Sequence, residues 1–171
     1  AYFMVNMGMN VFLAIVLSLA ISTLIGFLNG IIIAELRMPA LIVTFAAQTI
    51  FAGYAYIICG GVPISRMPES FLVLGQGYVG PIPIPVIIMI IIFAIGTFIL
   101  NKTYFGRYFY ALGGNEEAAL LSGIKVKVVK CLVYSLSGLF AGIAGLVMLA
   151  RANTAQPNAG VGYEFDVITC V

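Results

Sequence analysis

Histidine is absent from the 171 residues, and cysteine occurs three times, at Cys59, Cys131 and Cys170. Cysteines this far apart, with no histidine, exclude the common zinc spacings and supply no disulfide framework. They suit packing as small apolar side chains, and no metal site is expected. Charge is scarce as well: Asp, Glu, Lys and Arg make up 8% of the chain, against about 25% in ordinary soluble domains. No glycine-rich loop runs into Lys-Ser or Lys-Thr, so nothing here cradles a nucleotide phosphate. The basic residues form neither a long basic helix nor an aromatic ladder, which excludes the usual nucleic-acid signatures.

What the chain does have is apolar length. It is 63% hydrophobic with a mean hydropathy of +1.15. Four apolar segments, about 11–34, 40–59, 84–100 and 131–150, are separated by short polar stretches. Apolar runs of this order read as membrane helices, whereas a soluble bundle of this composition would have little polar surface to present to water. The expectation is therefore an all-α, polytopic integral membrane protein, with residues 1–171 part of one transmembrane domain and the lipid bilayer as its surroundings. The start at Ala1 and the stop in "FDVITCV", where a new apolar run begins, predict a piece of a longer polypeptide.

Two spans carry small residues at helical spacing. Ala14, Ser18, Ser22, Gly26, Gly30 and Ala34 recur every fourth residue in the first. In the fourth, Ser137, Ala141 and Gly145 recur every fourth residue, beside Gly138 and Gly142 as a second pair of small residues four apart. Such stripes let helix backbones approach closely. The second span contains Thr44 and Gln48; an unpaired amide is disfavoured in hydrocarbon, so Gln48 faces another helix or a wet cavity. A structural hydrogen bond and a solute contact both fit. The 60–83 connection is turn-rich, with "ESFLVLG" able to form a short interfacial helix.

Charge sets the orientation. Lys102, Arg107, Lys125, Lys127 and Lys130 all lie in the 101–130 loop, and the positive-inside rule places that loop in the cytoplasm. Arg37 then falls inside, Arg66 and Arg151 outside, and the 60–83 connection becomes extracytoplasmic. Within the loop, "GGNEEAALLSG" predicts a helix of about two turns. Asn115 is the N-cap, Glu116 and Glu117 sit in the first turn, where the dipole favours acids, and Gly123 closes the C-terminus. So short a helix is unstable alone. It lies either against the protein's own helix ends or in a groove on a soluble partner, with Gly113, Gly114 and Gly123 permitting sharp turns on either side. After the fourth span, Gln156, Asn158, Tyr163, Glu164 and Asp166 form a polar stretch broken by Gly and Pro. It is either an ordinary external loop or the lining of a pathway, since irregular backbone at membrane depth needs protein or water beside it.

Three stretches, "GFLNGIIIAELRMPALIVTF", "PESFLVLGQGYVGPIPIPV" and the run from "FGRYFYALGG" to "TAQPNAGVGYEFD" (Phe105–Asp166), resemble the inner-membrane permease subunits of bacterial monosaccharide ABC importers. The likeness is to the ribose, xylose and galactose type, ribose-like members most of all, with Thr154 in the usual serine place. It implies a helical permease bundle with a short cytoplasmic coupling helix, in a permease dimer working with a cytoplasmic ATP-binding subunit and a periplasmic sugar-binding protein. The chain itself is then no enzyme and binds no cofactor; ATP and Mg belong to the ATPase. Gly113, Gly114, Asn115, Glu116, Glu117, Ala118, Ala119, Leu120, Leu121 and Gly123 match the segment that contacts that ATPase. The lysines and Arg107 would meet anionic headgroups. Thr44, Gln48, Gln156, Asn158, Tyr163, Glu164 and Asp166 are the candidates for the pathway or for docking. The alternatives are a secondary transporter, for which the four spans offer no buried ionisable group, and an ABC permease for branched-chain amino acids or another small solute.

Overall fold

The computed structural model describes residues 1–170. In chain order its helices are α1 (Tyr2–Val5), α2 (Val11–Leu36), α3 (Ala40–Cys59), α4 (Glu69–Gln76), α5 (Ile84–Lys102), α6 (Tyr104–Gly114), α7 (Glu116–Leu121), α8 (Val126–Ala152) and α9 (Tyr163–Thr169). Four of them, α2, α3, α5 and α8, are long and apolar enough to cross a membrane. Local chemistry explains several limits. Asn10 starts α2, its side-chain oxygen accepting from the Phe12 N–H at 3.0 Å. Pro39 precedes α3, Pro85 falls in the first turn of α5, and α3 stops at Gly60 in the left-handed region at φ +63°. Asn153 ends α8 in the same conformation, which asparagine tolerates better than most residues. Helix α8 begins at Val126, taking Lys127 and Lys130 into its first turns.

The architecture is built on an antiparallel seam between α2 and α8. A methyl group added at Gly26 would sit 2.3 Å from the Tyr134 carbonyl oxygen, and one at Gly138 2.6 Å from the Ser22 carbonyl. No side chain fits at either position, so the two backbones touch, and the Ser22 hydroxyl donates across the seam to the Gly138 carbonyl. Gly30 faces the Cys131 backbone and Gly142 faces Ser22 in the same way. Close approach of this kind replaces the hydrophobic driving force that lipid cannot supply between helices. Gly145 is not part of it: a Cβ there would meet nothing within 4 Å, because the antiparallel seam turns away from that side of α8. Ser18 donates to the Ala14 carbonyl of its own helix at 2.7 Å.

At the end of the seam remote from the lysines, Met4, Ala14, Met67, Phe71 and Ala150 form a closed core. Phe71 is fully buried, so the "ESFLVLG" segment forms a short helix with one face packed into that core and the other, with Glu69 and Val73, exposed. The ends of the 60–83 connection are tied down by short antiparallel pairings: β1 (Ile64–Ser65) with β4 (Thr154–Ala155), and β2 (Tyr78–Val79) with β3 (Ile82–Pro83). Asn153 Oδ1 accepts from the Met67 N–H at 3.2 Å, and Gln76 donates to the Arg151 carbonyl at 3.2 Å. At the lysine end, α6 occupies part of the 101–130 loop. Its Tyr104, Phe105, Tyr108 and Tyr110 are exposed, and Arg107 lies 4.4 Å above the Tyr104 ring. Exposed aromatics next to a span suit the headgroup layer.

The seam makes a differential prediction. Gly26→Leu should lower the stability of the detergent-solubilised or nanodisc-embedded protein by about 1–3 kcal/mol or prevent assembly, whereas Gly145→Leu should leave it nearly unchanged. Thermal unfolding followed by circular dichroism compares the two, and equal shifts would show that the seam does not carry the fold.

Candidate functional site

Two constellations stand out, one at each end of the polar sequence signals. The first is α7. Asn115 takes an extended conformation, and its side-chain oxygen accepts from the Ala118 N–H at 3.0 Å. Glu116 and Glu117 follow in the first turn. The helix closes through Ser122, whose hydroxyl donates to the Ala118 carbonyl at 2.8 Å, and through Gly123 at φ +80°. The Gly123 and Ile124 N–H groups then satisfy the Leu120 and Ala119 carbonyls. Gly113 and Gly114 belong to the last turn of α6, so the sharp turn into α7 is made at Asn115 and not by the glycines.

Six residues need outside support to remain helical, and the chain itself provides some of it. Lys130 of α8, its side chain only 20% exposed, forms an ion pair with Glu116 at 2.7 Å. Ala119 is buried. An ion pair with a half-exposed acid stabilises by about 1 kcal/mol or less, so burial of the Ala119 face contributes alongside it. Lys127 likewise pairs with Glu35 at the end of α2, at 2.6 Å. Two of the lysines expected at lipid headgroups thus pair with acids of the chain itself, linking α7 and α2 to the foot of α8. Arg37, Glu116, Glu117, Leu120, Lys127 and Lys130 line a cavity of about 660 Å³ between them. On the outer side of α7, Leu121 is 89% exposed, while Leu120, at the cavity, is 60% exposed.

The second constellation lies along α3. Beyond Asn153 the chain doubles back. Asn158 donates to the Tyr56 hydroxyl at 2.7 Å, Gln48 donates to Glu164 Oε1 at 3.3 Å, and the Phe45 and Phe165 rings are 5.8 Å apart. From Tyr56 to Phe45 is three turns of helix, or roughly 16 Å at 1.5 Å per residue. The polar stretch after α8 therefore runs back beside an apolar helix. Such a course is tolerated at membrane depth only next to protein or water. It brings an ionisable group, Glu164, alongside spans that contain none in their middle.

Thr44, Phe45, Gln48, Tyr134 and Glu164 line a cavity of about 400 Å³ there, with Ala40 and Leu41. Gln48 thus contacts Glu164, and Thr44 lines the same cavity while donating to the Ala40 carbonyl of its own helix. Asn158 lies outside the cavity, against Tyr56 about two turns further along α3. Tyr163 turns instead to a separate apolar groove of about 590 Å³ between α5 and α8, ending at Arg151. Gln156 and Asp166 are exposed and line neither cavity. Phe45, Tyr56, Tyr134 and Phe165 had no distinguishing sequence signal, since aromatics in apolar segments read first as packing.

The protein family described as branched-chain amino acid transport system / permease component matches residues 1–171. The ribose import permease protein of Haemophilus influenzae is 42% identical over 172 residues, covering 98% of this chain and 53% of the relative. That of Bacillus subtilis is 42% identical over 170 residues, with the same coverage. The L-arabinose transport system permease protein of Escherichia coli is 42% identical over 144 residues, 84% of this chain and 44% of the relative. The chain spans about half the length of the curated relatives it matches. No solved structure matches it.

The cap at Asn115 is testable apart from any function. Asn115→Ala should cost α7 about 1 kcal/mol, accelerating hydrogen exchange of its amides about fivefold. The amides of α2 and α8 should be unaffected. Unchanged protection of α7 would mean that Lys130 and the Ala119 contact suffice without the cap.

Proposed function

The chain belongs to the branched-chain amino acid transport system / permease component family, and from that premise we propose that it is the membrane-spanning part of an ATP-driven importer passing a ribose-like monosaccharide into the cytoplasm of a bacterium. Sugar is favoured over amino acid by the relatives named for ribose and arabinose at 40–42% identity. The protein is a multi-pass membrane protein, placed in the inner membrane with its lysine end inside. It carries out no chemistry; hydrolysis of ATP with Mg belongs to a separate cytoplasmic subunit. A second permease subunit and a periplasmic sugar-binding protein complete the assembly.

The observation that carries this reading is the construction of α7. One side is clipped to the foot of α8 through Glu116, Lys130 and buried Ala119, while Leu120 and Leu121 stand exposed. A short amphipathic helix offered in this way fits a groove on a partner. Movement of the ATPase would then act on α7, pass through the Glu116–Lys130 pair to α8, and reach α2 across the glycine seam. Gly113 and Gly114 end the helix that leads into this lever, Asn115 and Gly123 hold its ends, and Glu117 and Ala118 complete its first turn. The spans would tilt about the seam in alternating access, exposing the α3-side cavity first outward and then inward.

An ion-coupled secondary transporter is the second reading, and Glu164 is what favours it, because an ionisable group at span level is a default proton or cation site. Uptake by energised vesicles depleted of ATP separates the two: persistence under an ion gradient alone would overturn the ATP-driven reading.

The coupling role has a direct test. Ala119 is buried, so a bulky charge there would dislodge α7 from its own chain; the informative position is Leu121. Leu121→Asp should leave thermal stability unchanged and weaken association with the ATPase roughly tenfold or more, with a matching loss of uptake in proteoliposomes. Normal association and normal uptake would remove α7 from the coupling path.

A further inference from the structure

We propose that the cavity between α3, α8 and α9 is a sugar-hydroxyl subsite within the permease, in which Glu164 and Gln48 together bind a vicinal diol and Phe45 meets the C–H face of the ring. This assignment rests on the sugar-importer reading and adds to it a place and a chemistry.

Hydrogen-bond capacity is the first ground. An ionised carboxylate offers about four lone-pair sites. Glu164 uses one on the Gln48 amide at 3.3 Å and one on the Gly162 N–H at 3.0 Å. Gln48 makes no other side-chain hydrogen bond among the described residues, leaving one N–H and its carbonyl oxygen free. The contact between them lies at the long limit for a hydrogen bond. It constrains the pair without saturating it, so a hydroxyl can insert, donating to Glu164 while accepting from Gln48. Two neighbouring hydroxyls match the two groups. A fastening with no ligand would need only the Asn158–Tyr56 bond and the Phe45–Phe165 contact that already hold the segment.

The lining discriminates between solutes. Its residues are Ala40, Leu41, Thr44, Phe45, Gln48, Tyr134 and Glu164, with no lysine or arginine among them. An amino acid zwitterion could place its ammonium group on Glu164, but its carboxylate would find no cationic partner in this lining. A neutral polyol meets no such conflict. The aromatic face supplies the remaining contact, since the negative π-face attracts the polarised C–H groups of a sugar ring. The volume of about 400 Å³ is within the range of roughly 300–1,000 Å³ usual for small-molecule sites.

The test is binding of D-ribose to the full-length permease in nanodiscs, without its partners, read by saturation-transfer-difference NMR, with L-leucine as the competing solute. Wild type should bind D-ribose, and L-leucine should not displace it. Glu164→Gln and Gln48→Leu should each weaken binding about tenfold or more, as expected for loss of a site's polar partner to a substrate hydroxyl. Glu69→Gln, an acid-to-amide change on α4, should bind as wild type. The first variant preserves shape and the second is apolar, so a folding defect in either leaves the other informative. Equal binding by all variants would overturn the assignment to this cavity. Absence of ribose binding to wild type, with ATP-driven ribose uptake intact in the full assembly, would overturn the subsite and leave the importer reading standing. Binding of L-leucine in place of ribose would overturn both.

Discussion

Backbone contact between α2 and α8 at Gly26 and Gly138 is the constraint on which the other elements depend. Helices surrounded by lipid gain little from hydrophobic association, so they must gain from dispersion at close range and from hydrogen bonds such as that of Ser22 with the Gly138 carbonyl. Both require that nothing larger than hydrogen stand between the backbones. With this seam set, the Ala14–Ala150 end closes over Phe71 into a core, and the opposite end places Lys127 beside Glu35 and Lys130 beside Glu116.

The seam also explains how two polar regions far apart in the chain can belong to one device. Helix α7 stands on α8 at one end. At the other, α8 delivers the segment that turns at Asn153 and descends beside α3. Helix α8 thus contacts both the lysine end, through the Glu116–Lys130 pair, and the cavity holding Gln48 and Glu164, through Tyr134. The α3 helix itself touches the rest of the described chain lightly, and most of its large apolar side chains, Leu41, Ile42, Ile50 and Ile57 among them, are exposed. The contacts running from Tyr56 to Phe45 are its link to the returning segment.

Much of this was legible from residues alone. The four apolar runs became four long helices because backbone groups in lipid must be satisfied within a segment. The small-residue stripes marked the faces that meet, and Asn115 and Gly123 acted as caps because capping is decided within a few residues. Gly145 shows the limit of spacing: it continues the pattern but faces open space, since crossing geometry selects which small residues touch. Helix α6 was missed because "TYFGRYFYALGG" has a helix start only through the Thr103 side chain, which accepts from the Gly106 N–H at 3.3 Å.

Composition and periodicity by themselves determined that this is an all-α membrane protein with a capped acidic helix next to a lysine-bearing span, because those properties are set by local burial and local hydrogen bonding. Only the tertiary structure decided what the polar residues meet. The pairing of Glu116 with Lys130 crosses fourteen residues, and that of Gln48 with Glu164 crosses 116. Neither separation follows a helical period, so no spacing rule can anticipate them. They arise where the α2–α8 seam and the turn at Asn153 bring distant segments to the same depth.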